Sequence, residues 1–237
     1  MTQSDDVRGP LEVVRLYLEE GAKRTFAVAL DWPGWGRSAR TGEAAVAALL
    51  AYRDRYAPVA RAAGEPFPTE GGDGTAGGRV DVVATVGGNA TTDFGAPGVV
   101  PPLDLAGWDP AEADRQCRLL QAAWDRFDEV VAGAPASLRK GPRGGGRDRD
   151  AIVDHVLGVE PAYARKAGLR RPAPKDRAGL DALRADLTAL LHDSAGRPAP
   201  TTGWPAPYVA RRLAWHVLDH AWEIEDRTER TGGPDQG

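Results

Sequence analysis

A helix that is apolar on nearly every side cannot lie on a protein surface; it has to be covered from two directions. Residues Pro207 to Arg227 read as such a helix. With about 100° per residue and His216 set at 0°, His220 falls near 40°, beside Leu213, Val217 and Ile224 at about 60–100°. Trp215, Leu218 and Trp222 form a second apolar arc, and Arg212, Asp219 and Glu223 make only a narrow polar wedge. The fold must therefore cover the first arc with one set of elements and the second with another. The expected cover for the second is the N-terminal half or another protomer.

The elements before this helix supply the first cover. Asp109-Pro110-Ala111-Glu112 is a helix start, with an Asp N-cap, Pro at N1 and Glu at N3. Ala113, Cys117, Leu120, Trp124, Phe127 and Val131 then recur at spacings of four and three, one apolar stripe ending at Gly133. A Gly/Arg-rich loop, 141–149, leads to a helix over about 149–167, which Pro161 is expected to distort. Asp176 caps a third helix with Leu180, Leu183, Leu187 and Leu190 inward, and a Pro-rich connection, 196–207, leads to the last. Four helices with short or Pro-rich connections predict an antiparallel, up-down four-helix bundle over 106–237.

The first 105 residues have a different pattern. Residues 11–32 read as a β-hairpin: Phe26, Val28, Leu30 and Trp32 alternate with Thr25, Ala27, Ala29 and Asp31, as in a half-buried strand, and Glu20-Gly21-Ala22 supplies the turn. Pro33-Gly34 ends the second strand. Thr41 caps a helix from Gly42 that carries Glu43 in its first turn, and Pro58 is expected to break or kink it. Residues 64–78, with six glycines and two prolines, read as a flexible loop. Arg79 to Val86 is a further strand, and Gly98 to Leu103 a short fourth. The expected fold class is α+β: a small N-terminal α/β domain (1–105) followed by the helical bundle (106–237).

Bulk properties remove several functions. A net charge of −4 argues against general nucleic-acid binding, which needs a basic surface. No apolar run approaches a membrane span. The polar start MTQSDDVRGP has no signal-peptide character, and the lone Cys117 suits a reducing compartment, so a cytoplasmic location is expected. Gly71-Gly72-Asp73-Gly74 lacks the features of a nucleotide loop, and Gly87-Gly88-Asn89 reads as a turn.

Chemistry concentrates on the histidines, of which there are four. His216 and His220, four apart, project from one helix face and can chelate a metal ion through two imidazoles. His155 lies among Ile152, Val156 and Val159 on the second bundle helix. Buried imidazoles without partners are costly, and a shared metal satisfies all three. Three histidines suit Zn, Ni or Fe and leave at least one position open, a catalytic pattern. The bland alternative is a hydrogen-bonded histidine core without metal. His192, in the last turn of the third helix, reads as a structural partner of the helix dipole. Asp154, Glu160, Asp219 and Glu223 are candidates to orient the ligands. Glu223, within one turn of both His216 and His220, is also a candidate metal ligand or catalytic base; its plain alternative is an ion pair with Arg227.

With one histidine in AIVDHVLGVE on the second bundle helix and HxxxH in LAWHVLDHAWEIED on the fourth, residues 106–230 resemble the DinB-like metalloprotein superfamily. That superfamily includes thiol-dependent transferases and the mycothiol-dependent maleylpyruvate isomerases. The resemblance implies a divalent cation on His155, His216 and His220, and a low-molecular-weight thiol such as mycothiol as cosubstrate. It also allows for a homodimer, for which the Trp215/Trp222 arc offers a surface. The stretch FAVALDWPGWGRSARTGEAAVAAL more loosely resembles the HicB antitoxin fold. HicB proteins bind a small basic toxin, but no helix-turn-helix is evident here and DNA binding is not implied. The function expected is a metal-dependent transferase or isomerase acting on a small-molecule substrate. The alternative is a non-catalytic, metal-stabilised interaction protein. Cys117, on an inward stripe, is expected to be inert core.

Overall fold

The computed structural model describes residues 13–68, 79–141 and 145–228. The polar N-terminal segment with the first residues of the expected hairpin, the Gly71–Gly74 stretch and part of the 141–149 loop lie outside the described residues.

Strands β1 (Val13–Glu20) and β2 (Thr25–Ala29) form the expected antiparallel hairpin, with Leu16 opposite Ala29 and Glu20 opposite Thr25. Strand β2 is not half-buried: every residue in it is out of water. The reason is that both sheet faces are covered. Ala27 and Ala29 join Leu16 in the main core, while Phe26 and Val28 join Tyr17 against Trp215. A third strand, β3 (Gly36–Ala39), pairs antiparallel with β2, and Pro33-Gly34 is the turn into it instead of the end of the sheet. The sequence GRSA carries no apolar alternation, so nothing in it announced a strand. Gly34 has φ +94°, and a Cβ there would come within 2.6 Å of Leu218. This turn is where the chain rides over the C-terminal helices.

Helix α1 (Gly42–Ala51) starts as expected, with Thr41 Oγ1 accepting from Ala44 N–H at 3.2 Å. It gives way at Tyr52 to α2 (Arg53–Ala62). The interruption is thus six residues before Pro58, which lies inside α2. Strand β4 (Arg79–Gly87) pairs in parallel with β1, giving the sheet order β3-β2-β1-β4. A short helix, α3 (Ala90–Phe94), follows, capped by Asn89 in a reciprocal capping box. The segment from Gly98 to Leu103 is not a strand. The Gly98 and Val99 N–H groups donate to the Glu19 carboxylate at 2.8 and 3.2 Å, and Pro102 begins a 3₁₀ turn, so the donors a ladder requires are used elsewhere or missing.

Four longer helices follow among the described residues: α4 (Pro110–Gly133), α5 (Arg149–Lys166), α6 (Arg177–Asp193) and α7 (Ala206–Arg227). The expected caps hold: Asp109 accepts from Glu112 N–H and Asp176 from Gly179 N–H, both at 2.8 Å. Helix α5 runs through Pro161 without interruption. Helix α7 packs on α4 and α5, and α6 on α4 and α5. The described chain is thus mixed α/β, with a four-stranded sheet from its N-terminal half and helices mostly C-terminal. No described helix is long and apolar enough to cross a membrane.

The second arc of α7 meets the N-terminal half of the same chain. Trp215 is edge-on to Phe26 with ring centroids 5.8 Å apart, and Trp222 meets Tyr52 at 5.0 Å. The arc is therefore covered within the chain, which removes the surface that a homodimer was expected to use. One apolar core runs from the sheet through α1 and α2 into α4–α7.

Two charged pairs are sealed inside. Glu160 on α5 accepts from Arg184 on α6, Oε1 to Nη2 at 2.8 Å, with the carboxylate fully buried. Asp104 meets Arg211 in the same manner. Removing one partner strands the other without water, at a cost of about 3–5 kcal/mol. The Arg184→Leu variant should lose stability of that order in urea unfolding; a loss below about 1 kcal/mol would show that the pair is not sealed.

Candidate metal centre

The register of α7 decides where its histidines point. Trp215 and Trp222 are held against the sheet side, and this turns His216 and His220 toward α5. His155 meets them from α5. The ring centroids lie 5.2 Å apart for His155–His216, 5.0 Å for His155–His220 and 4.9 Å for His216–His220. Nε2 of His216 is 3.3 Å from Nε2 of His155. One ligating atom from each of the three lies within 4.8 Å of the others. The three predicted ligands therefore converge into a group that could hold one cation.

His216 is 5% exposed and His220 9%, while His155 is not buried. Burial, then the neighbouring His220 and Arg212, push His216 down to about 2, so its ring is neutral at any physiological pH. Burial and Arg147 also lower His155. Neutral imidazole is the form that ligates a metal.

Of the four carboxylates considered as orienting groups, one takes that position. Glu223 Oε2 lies 2.8 Å from His220 Nδ1, while its Oε1 accepts from Arg227 Nη1 at 2.9 Å. The contact with His220 is the main cause holding Glu223 below the usual carboxylate range. With Nδ1 engaged by a carboxylate, Nε2 of His220 is the nitrogen left for a cation, as in carboxylate–histidine–metal triads. Both contacts considered for Glu223 are present: it pairs with Arg227 and it meets the ring of His220. A carboxylate held ionised by two partners is a weak proton acceptor, an environment that suits positioning better than action as a base. The other three lie elsewhere. Glu160 is bound to Arg184, Asp219 accepts from Arg37 at 2.7 Å, and Asp154 lines a groove with Phe127, Val131 and Leu180.

His192 pairs with Asp114, Nδ1 to Oδ1 at 2.8 Å, at the end of α6, a structural role. Cys117 is buried, and burial pushes its thiol up to about 12, so it is no nucleophile. Three neighbours escaped the sequence reading. Tyr163 stands edge-on to His216 at 5.5 Å, Arg212 lies over Tyr163 at 4.8 Å, and Arg147 reaches within 3.9 Å of Glu223. Tyr163 and Arg212 carry the right spacing from His155 and His216, eight and four residues, but no residue-type signal separates them from ordinary packing.

No family model and no solved structure matches the chain. An anthranilate synthase from Azospirillum brasilense is 32% identical over 136 residues, which is 54% of this chain and 18% of that protein. The chain thus spans less than a fifth of the relative it matches.

The depressed His216 makes a prediction for the metal-free chain. Below about pH 6.5 the unfolded chain binds a proton on this residue that the folded chain refuses. Stability is therefore full above about pH 6.5 and falls as the pH drops toward about 2, by up to about 1.4 kcal/mol per unit. Urea unfolding at several pH values should show a shallower dependence in His216→Phe. Equal slopes in both proteins would contradict the buried, neutral ring.

Proposed function

We propose that the chain is a DinB-like divalent-metal-binding protein in which His155, His216 and His220 hold Zn, Ni or Fe. In this reading α4–α7 form an up-down four-helix bundle, the N-terminal sheet is a HicB-like module, and the protein is a metal-dependent transferase or isomerase using a low-molecular-weight thiol such as mycothiol. The convergence of the three imidazoles from α5 and α7, with Glu223 behind His220, carries this reading. The donor set fits: all three nitrogens suit a borderline cation, and three protein ligands leave a position open. A bound cation would lower the pKa of a coordinated thiol and hold its thiolate. The chain's own residues do the rest. His216 stays neutral, Glu223 holds the His220 tautomer, and Tyr163 flanks His216. The match to anthranilate synthase covers too little of that protein to bring its activity here.

Metal analysis of untagged protein, never exposed to a nickel column, should find about one Zn, Ni or Fe per chain, lost in His216→Ala. No metal in either protein, and no uptake on titration, would end this reading. The Glu223→Gln variant should keep the fold and bind metal about 10–100-fold more weakly in chelator competition; unchanged affinity would remove Glu223 from the site.

One observation favours the non-catalytic alternative. The exposed large apolar side chains among the described residues, Val82, Val83, Phe94, Leu103 and Leu105, all belong to the N-terminal half, where a partner could dock. Cobalt-loaded protein separates the two readings: a thiolate charge-transfer band on adding a small thiol supports the enzyme, and its absence supports the metal-stabilised interaction protein.

A further inference from the structure

Arg212 stands one helical turn before His216 on α7 and is 6% exposed. Its guanidinium carbon lies 4.8 Å from the centre of the Tyr163 ring and 4.7 Å from that of Trp215. Nη1 is buried with no hydrogen-bond partner, and no carboxylate among the described residues forms an ion pair with this side chain. Of the other buried arginines, Arg115, Arg184 and Arg211 each have a carboxylate, Glu65, Glu160 and Asp104. Arg53 on α2 has none among the described residues either, so what sets Arg212 apart is its pair of aromatic rings and its place one turn before His216. The buried carboxylate of Glu19 acts on Arg212 only through space, because its hydrogen bonds come from Thr92 and the backbone of Gly98 and Val99.

A buried cation lacking an anion is costly, and natural structures keep few of them. Other cations stand nearby, although Glu19 through space and Glu223 beside Arg147 offset part of the charge. Lys166 Nζ lies 4.8 Å over the ring of Trp204, which itself packs at 5.3 Å on Tyr163, and Arg147 stands beyond the histidines near Glu223. Arg212 and Lys166 are the cations of this group that have no carboxylate paired to them among the described residues. The two rings lie within 5 Å of the guanidinium, and a planar fork of this kind matches a carboxylate.

We propose that Arg212 is the anion-binding residue of the substrate site: it takes the carboxylate of an organic acid whose body lies against Tyr163 and Trp204, beside the three histidines. The inference rests on the metal-centre reading only for where the reaction occurs; the carboxylate site stands without it. A guanidinium fork pairs bidentately with carboxylate and with phosphate. With one fork and no second donor paired beside it, the remaining oxygens and charge of phosphate would go unmatched, so a monoanionic carboxylate is the better fit. Arg212 would act as a specificity-determining residue, holding one end of the substrate while its other end reaches the centre one turn away.

The test titrates the full-length protein with benzoate, benzamide and inorganic phosphate, with and without a chelator, following tryptophan fluorescence and heat. Benzoate should bind with or without metal, and benzamide and phosphate should not. Arg212→Met should weaken benzoate about tenfold or more, with Arg212→Lys between the two. His216→Ala should lose metal yet keep benzoate, so a failed metal reading is visible apart from a failed carboxylate site. Benzoate binding equally to wild type and Arg212→Met overturns the proposal. So does benzamide or phosphate matching benzoate on the wild type, a comparison that does not depend on any variant folding.

Discussion

Helix α7 has almost no face left to water, and the other elements are arranged around that demand. Its Leu213, Val217 and Ile224 are covered by the C-terminal helices, and its Trp215, Leu218 and Trp222 by the sheet side with its turn at Gly34 and Tyr52. A tryptophan of this kind removes well over 150 Å² from water. Two of them on one flank fix the rotation of the helix about its axis. Neither half of the molecule could change its packing without turning this rod.

The histidine cluster inherits its precision from that constraint. His216 and His220 are aimed by tryptophans that face the other way, and His155 is brought up by a helix whose own far side is tied to α6 through Glu160 and Arg184. The polar groups inside the helical half are therefore of two kinds. Some, such as Glu160–Arg184 and Asp104–Arg211, are complete pairs that hold elements together. Others, His216 and Arg212, keep a buried nitrogen without a partner beside the remaining two histidines. That division separates the paired scaffold groups from the candidate site.

Much of this was legible in the sequence because it rests on periodicity and caps. Thr41, Asp109 and Asp176 cap the helices they were expected to cap, and the two arcs of α7 follow from its angular pattern alone. The three histidines could be grouped because each sat among apolar residues on a helix. What escaped has physical reasons. Strand β3 is built from Gly36, Arg37, Ser38 and Ala39, and no hydrophobic alternation marks it. Gly98 and Val99 look like a strand, but their N–H groups go to Glu19, a partner nearly eighty positions away that no local pattern reveals. Tyr52 interrupts the first helix where Pro58 was the visible breaker. Arg212 read as part of a polar wedge, since only the fold shows that aromatic rings, and no acid, wait beside it.

The covering of Trp215 and Trp222 by the sheet also bears on how such a chain can be inherited. The halves on either side of residue 105 differ in composition and look like portable parts. A gene rearrangement that carried off only the second would deliver a histidine-bearing helix with one flank bare. A rearrangement that carried off only the first would leave Phe26 and Val28 uncovered. The two halves are thus bound to travel as one hereditary unit, or each must evolve a new neighbour before it can be reused.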